Sequence, residues 1–263
     1  MEVQDKEQLE RRMTGIIWGK SGCGKTTFLS SLPQPILYVM IDPDGKESIP
    51  EVCDYKVLDL SMMEDGETVR ALKDKVPTMI KQMKGQVASV VVDSLTVYAE
   101  RGLNYAIQQK VGGSPKFTPT IEAPGQTAYG ARRQYIVHAT SNILRATALV
   151  GMHCFFTTHD SEVTNDKGEI LHYTMMLGGK ANNDVGIKIS ECWWMREHDG
   201  KWFIAVRNCR QREPMKTRMF NSSSSPEFEL KFNPALGIDQ PHSISRWFES
   251  WIAAGRKKIP LPT

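Results

Sequence analysis

The chain has 263 residues, enough for one large α/β domain with its own core or for two small ones. Its 40% hydrophobic and 24% charged content, with a mean hydropathy of −0.37, excludes bulk disorder, and no apolar run reaches the roughly 20 residues of a membrane helix. The net charge of +3 is unevenly spread: residues 1–100 carry 12 basic and 16 acidic side chains, 101–150 carry 6 and 1, 151–195 carry 3 and 6, and 196–263 carry 12 and 7. Two basic blocks suit a polyanion path, and they also suit two solvated basic surfaces.

Thr14 to Trp18 is a short β-prone run leading into Gly19-Lys20-Ser21-Gly22-Cys23-Gly24-Lys25-Thr26. Thr27 to Leu32 starts a helix that Pro33 and Pro35 stop. Ile36 to Ile41 reads as a second buried strand, ending at Asp42-Pro43-Asp44-Gly45, and Lys56 to Leu60 as a weaker third. Glu64 to Lys84 is mostly helical, with Pro77 expected to kink or break it. Val87 to Val92 is a strongly apolar strand ending at Asp93-Ser94, and Leu95 to Lys110 is helical. Val111 to Gln126 has three prolines and three glycines and reads as a long loop of the kind that carries function. Thr127 to Leu149 is a helix bearing Arg132, Arg133 and Arg145, and His153 to Thr158 is a further buried strand, ending at His159-Asp160. Strands alternating with helices predict an α/β fold with a mainly parallel twisted sheet flanked by helices.

The pattern then turns antiparallel. Glu162 to Asn165 and Glu169 to Tyr173 flank Asp166-Lys167-Gly168, and Glu191 to Arg196 and Lys201 to Val206 flank His198-Asp199-Gly200. Both read as hairpins that extend a sheet edge. Ser243 caps a final helix whose Ile244, Trp247, Phe248, Trp251 and Ile252 share one face, with Gly255 as its stop and a basic tail beyond. The chain divides into an N-terminal segment 1–13, a core 14–220 and a C-terminal extension 221–263. Five scattered cysteines without a CxxC pair, and a charged start without the apolar core of a signal peptide, predict reduced thiols and a cytoplasmic protein with no membrane partner. No Cys/His spacing suggests zinc.

Gly19 to Thr26 matches the P-loop pattern GxxxxGK[ST] in full, with a buried strand before it and a helix after it. The glycines let successive N–H groups turn inward on phosphate oxygens. Gly19, Lys20, Ser21, Gly22, Cys23, Gly24, Lys25, Thr26 and Thr27 are therefore the expected nucleotide-binding residues. Lys25 would reach the β- and γ-phosphates and the Thr26 hydroxyl would ligate Mg²⁺. Ser89-Val90-Val91-Val92-Asp93, 68 residues after Lys25, has the Walker B pattern, with Asp93 as the second Mg²⁺ residue. Ser94 follows it. A Glu directly after the Asp marks the AAA+ and ABC families, so both lose weight. The GTPase DxxG and NKxD patterns are absent, which favours ATP.

Val90-Val91-Val92-Asp93-Ser94-Leu95 resembles the Walker B segment of RecA-like ATPases, and Ile41-Asp42-Pro43-Asp44 resembles their segment bearing the catalytic Glu. The resemblance implies Asp44 as general base, one methylene shorter than Glu, although Asp42-Pro43-Asp44-Gly45 also suits an ordinary turn. It implies His159 as the polar residue that senses the γ-phosphate. Lys216 and Arg218 match the KxR pair of RecA-like ring helicases, which reaches a neighbouring subunit's γ-phosphate; on a strand both would share one face. The whole, roughly Thr14 to Arg218, is similar to the RecA-like P-loop ATPases of bacteriophages, among them the single-strand annealing and recombination proteins.

That resemblance implies single-stranded DNA as partner, a homo-oligomeric ring or filament, and a single-strand-binding protein as a further partner. Loops 111–126 and 161–183 would face the DNA. Lys110, Lys116, Phe117, Arg132 and Arg133 belong to the first loop and its flanks, and Lys167 and Lys180 to the second. Two rivals stay open: a nucleotide-dependent scaffold or loader with slow turnover, and a small-molecule kinase using Arg207, Arg210 and Arg212 as a basic lid.

Overall fold

The computed structural model describes residues 12–114, 117–208, 212 and 214–263. Runs of β-branched, aromatic and aliphatic side chains, buried at every position, make the central strands β1 (Thr14–Trp18), β2 (Ile36–Met40), β4 (Ser89–Asp93) and β5 (His153–Thr158). The polar β3 (Tyr55–Asp59) takes an exposed edge. A hairpin, β6 (Asp160–Thr164) and β7 (Ile170–Met175), follows β5, and the chain continues into β8 (Glu191–His198), β9 (Lys201–Ala205) and β10 (Glu227–Leu230). The eight-stranded sheet has the order β10-β9-β8-β1-β5-β4-β2-β3. Strands β8 to β3 in that order run parallel, and β9 and β10 add antiparallel neighbours.

Side-chain alternation explains the two layers around it. Ile16, Trp18, Val39, Val90, Val92 and Phe156 point to one face. There they meet α2 (Asp65–Arg70), α3 (Val76–Gln82), α4 (Leu95–Gln108), α5 (Gly125–Val150) and α6 (Ala181–Lys188). Ile17, Tyr38, Met40, Val91, Phe155 and Trp193 point to the other, against α1 (Lys25–Leu29) and α7 (Ile244–Ala253). On α7, Ser243 Oγ accepts from Arg246 N–H, and Ile244 and Trp247 are buried.

The fold is the α/β P-loop architecture expected, with three local differences. Pro77 does not break its helix: the π-turn Ala71–Lys75 sits just before it and widens the helix where a proline ring would crowd the preceding turn. The β6–β7 hairpin forms a separate two-stranded sheet instead of extending the main one. The expected loop 161–183 is therefore mostly hairpin, and it runs into α6, whose weak apolar pattern gave no signal. Among the described residues no helix is long and apolar enough to cross a membrane.

Candidate active site

Strands β1, β5, β4 and β2 lie side by side, and the loops leaving their ends enclose a cavity of about 250 Å³. The loop from β1 to α1 supplies Ser21, Gly22 and Gly24, and the first turn of α1 supplies Lys25, Thr26 and Thr27. Gly24 holds the left-handed conformation (φ 88°) from which α1 starts, and a Cβ on Gly19 would overlap the Met195 carbonyl, so a side chain is excluded there. Gly19 N–H donates to Thr158 O at 3.3 Å, tying the loop to β5. The Lys25 ammonium is buried and donates to the carbonyls of Gly19 (2.9 Å) and Lys20 (2.6 Å). Gly19, Lys20 and Cys23 shape the loop without lining this cavity: Lys20 pairs with Glu162 at 3.7 Å, and Cys23 is buried against Met195.

Asp93, at the end of β4, is held from both sides. Its Oδ2 accepts from Thr26 Oγ1 and its Oδ1 from Thr157 Oγ1, each at 2.5 Å. Its carbonyl accepts from Ile41 N–H (2.6 Å) and Asp42 N–H (3.2 Å), which fixes the end of β2 beside it. Asp42 Oδ1 accepts from Asp44 N–H at 3.2 Å, and Asp44 precedes the 3₁₀ turn Gly45–Ser48. Both carboxylates line the cavity, with Asp44 exposed. Asp42-Pro43-Asp44-Gly45 is thus a turn and also a wall of the site. Thr27 Oγ1 donates to Ser48 O at 3.0 Å and closes that wall onto α1.

His159 enters from β5. Its N–H donates to Thr96 Oγ1 at 2.8 Å, and Thr96 and Thr158 hydroxyls are 2.8 Å apart. Burial lowers the imidazole pKa and the Lys25 charge lowers it further, so the ring is neutral near pH 7 and offers one donor and one acceptor. Thr157, Asp42, Gly45 and Ser48 were not singled out from the sequence. The available signal for Thr157 was a pair of hydroxyls, Thr157-Thr158, at the buried end of the strand.

The donor set fits Mg²⁺ bound with a nucleotide. A hydroxyl and a carboxylate, both hard oxygen ligands, stand together beside the phosphate-binding loop. Among the described residues no cluster of three or more His, Cys, Asp or Glu makes a metal cage. Mg²⁺ typically takes few protein ligands and completes its octahedron with phosphate oxygens and water.

The remaining expected residues lie elsewhere. Lys216 and Arg218 do not line the cavity. Nor do they share a strand face: Lys216 makes one isolated bridge to Cys192, and the Thr217 hydroxyl, accepting from Met219 and Phe220 N–H, bends the chain immediately after it. Lys216 Nζ donates to Gly186 O at 3.2 Å, and Arg218 is exposed. Arg133 is neutralised by Asp184 at 2.6 Å and joins α5 to α6, so it offers no unpaired cation to a nucleic acid. Arg132 lies over the Tyr129 ring at 5.0 Å and against Gly178, which brings the start of α5 next to the loop at 178–180. Phe117 is 40% exposed beside Lys110, while Lys167 and Lys180 are exposed on the hairpin turn and at the start of α6. Lys116 and Arg210 lie outside the described residues. Arg212 is engaged by Glu227 at 2.6 Å and stacks over Trp194, which removes it from a lid.

The family model described as the AAA domain matches residues 11–191, which run from β1 to the first residue of β8 and include the whole cavity. No curated protein matches the chain. The match corrects the weight taken from the AAA group for want of a Glu after Asp93. That position is occupied structurally: Ser94 Oγ accepts from Val97 N–H and caps α4.

Proposed function

The chain belongs to the AAA domain family of P-loop ATPases, and from that premise we propose that it hydrolyses Mg-ATP in the service of single-stranded DNA, in recombination, annealing or replication of the phage type. The observation that carries the reading is the convergence of Lys25, Thr26, Asp93 and His159 on one cavity at the ends of four parallel strands. The loop N–H groups and Lys25 bind and orient the phosphates. Thr26 and Asp93 would hold Mg²⁺, which would supply charge neutralisation at the phosphoryl oxygens. Asp44 orients a water and takes its proton as the water oxygen bonds to the γ-phosphorus and the bond to the bridging oxygen breaks, giving ADP and phosphate. Neutral His159 donates a hydrogen bond to the γ-phosphate. Arg218, exposed and outside its own cavity, serves the site of a neighbouring copy in a homo-oligomer.

Single-stranded DNA is assigned to the surface around Lys110, Phe117, Arg132, Lys167 and Lys180, where cations face phosphates and the exposed Phe117 ring offers a base a stacking partner. The exposed, shorter carboxylate of Asp44 favours one second reading, a slow ATPase used as a loading switch for another replication protein. ATP turnover with and without single-stranded DNA separates the two, with Arg218→Ala alongside. The motor reading expects DNA to raise turnover about tenfold or more and Arg218→Ala to abolish the rise. Turnover indifferent to DNA refutes it.

A further inference from the structure

Glu191, the first residue of β8, is 2% exposed and has no cationic side chain within ion-pair distance among the described residues. Its carboxylate accepts instead from four neutral donors. Oε2 takes Thr217 Oγ1 (2.6 Å) and Trp193 Nε1 (3.0 Å), and Oε1 takes the N–H groups of Arg218 (2.9 Å) and Met219 (3.2 Å). Three of the four belong to the segment that carries Lys216 and Arg218. Burying a carboxylate is expensive, and an amide or hydroxyl would fill the space more cheaply. What a carboxylate adds is acceptor strength on both oxygens at once, so that backbone and side chain of one short segment are fixed together. Backbone bridges hold the two ends of this stretch, Lys216 to Cys192, the residue next to Glu191, and Met219 O to Ile259 N–H at 2.9 Å, and between them Glu191 takes the Thr217 hydroxyl and the Arg218 N–H.

We infer that Glu191 is a positioning residue that locks the 216–219 segment in the conformation that presents Arg218 outward to the nucleotide of a neighbouring copy. The inference rests on the reading of Arg218 as a residue completing that copy's site. The anchor sits at the base of a strand whose other flank is β1, the strand that feeds the P-loop, so the outward arginine and the subunit's own phosphate site share one rigid frame. Gln at 191 would present an amide N–H₂ toward groups that are themselves donors, and the lock would loosen without removing volume.

The test is ATP turnover by Glu191→Gln, alone and mixed with Lys25→Ala, in parallel with Arg218→Ala treated the same way. Lys25→Ala supplies an intact Arg218 but no working site of its own. For Glu191→Gln the expected result is a kcat lower by about tenfold or more, a KM for ATP within about twofold, and recovery on mixing, because its own site then meets an intact neighbour. Arg218→Ala is expected to behave alike. If Arg218→Ala keeps full turnover, or loses it without recovery on mixing, the neighbouring-copy reading itself falls. If Arg218→Ala behaves as stated but Glu191→Gln turns over like the wild type, or loses KM and kcat together without recovery, the inference on Glu191 is overturned. Should Glu191→Gln not fold, Thr217→Val removes one of the four donors. It is then expected to lower kcat, with the same recovery, and wild-type kcat in that variant overturns the inference.

Discussion

Asp93 owes its orientation to two hydroxyls on different elements. Thr26 approaches from the phosphate-binding loop and Thr157 from β5, the strand inserted between β1 and β4. Thr26 would be shared with a metal ion, whereas Thr157 has Asp93 as its partner. Thr157→Val keeps the volume and removes the hydroxyl. It should raise the Mg²⁺ concentration needed for half-maximal turnover by about tenfold, with Thr157→Ser restoring it; an unchanged Mg²⁺ requirement in the valine variant would remove Thr157 from this role. His153, on the same strand, acts on stability instead. Its Nδ1 accepts from Met13 N–H at 3.0 Å, and burial pushes its pKa down from 6.5 to about 4. Between those pH values the unfolded chain binds a proton that the folded one excludes. The contribution is therefore complete above pH 6.5 and is lost as pH falls to 4, by up to about 3 kcal/mol. Glu191, raised from 4.5 to about 7 by burial, works with the opposite sign: its contribution falls as pH rises through that interval. The difference between wild type and His153→Asn in denaturant unfolding isolates the histidine. It should shrink as pH is lowered from 6.5 to 4, and a constant difference would contradict the assignment.

Among the elements, the C-terminal helix is tied most closely to the site. The Trp247 ring of α7 lies 5.5 Å from Phe28 of α1, 5.9 Å from Trp193 of β8 and 5.2 Å from Phe220. Ser31 adds backbone ties, its hydroxyl accepting from Ile244 N–H and its carbonyl from Ser245 N–H. The five-residue helix that follows the P-loop is thus clamped from below by α7. Trp247→Ala should cost about 3–5 kcal/mol, read from unfolding, and weaken nucleotide binding at temperatures where the fold survives. Wild-type stability would show that the aromatic cluster closes without it. The amphipathic stripe of α7 and its Ser243 cap were legible in the sequence through period 3.6, the central parallel strands through short continuous apolar runs, and both hairpins through their glycine-bearing turns. The attachment of α7 to α1 was not, since a stripe names a buried face but not what covers it. The same limit applied at Lys216 and Arg218. Their spacing suggested one strand face, but the Thr217 turn, set by a glutamate some 26 positions earlier, was invisible to local pattern. Arg133 looked like a DNA contact for the same reason, its partner Asp184 lying 51 residues away.

At the scale of the whole molecule, sheet order does what no single motif does. Placing β5 between the P-loop strand and the Asp93 strand brings Thr157 and His159 between the two phosphate-site elements. The β6–β7 hairpin starts at Asp160, immediately after His159, so the strand that lines the cavity leads directly into it. The Asp44 loop on the far side, anchored to the Asp93 carbonyl through Ile41 and Asp42, closes the cavity opposite His159. The central claim is that this convergence is a Mg-ATP hydrolysis site. The most direct measurement is ATP turnover across a Mg²⁺ titration, wild type beside Asp93→Asn, with circular dichroism to verify that the variant folds. The account predicts Mg²⁺-dependent turnover in the wild type and a loss of about a hundredfold or more in Asp93→Asn. Equal turnover in the two, or turnover independent of Mg²⁺, would contradict it.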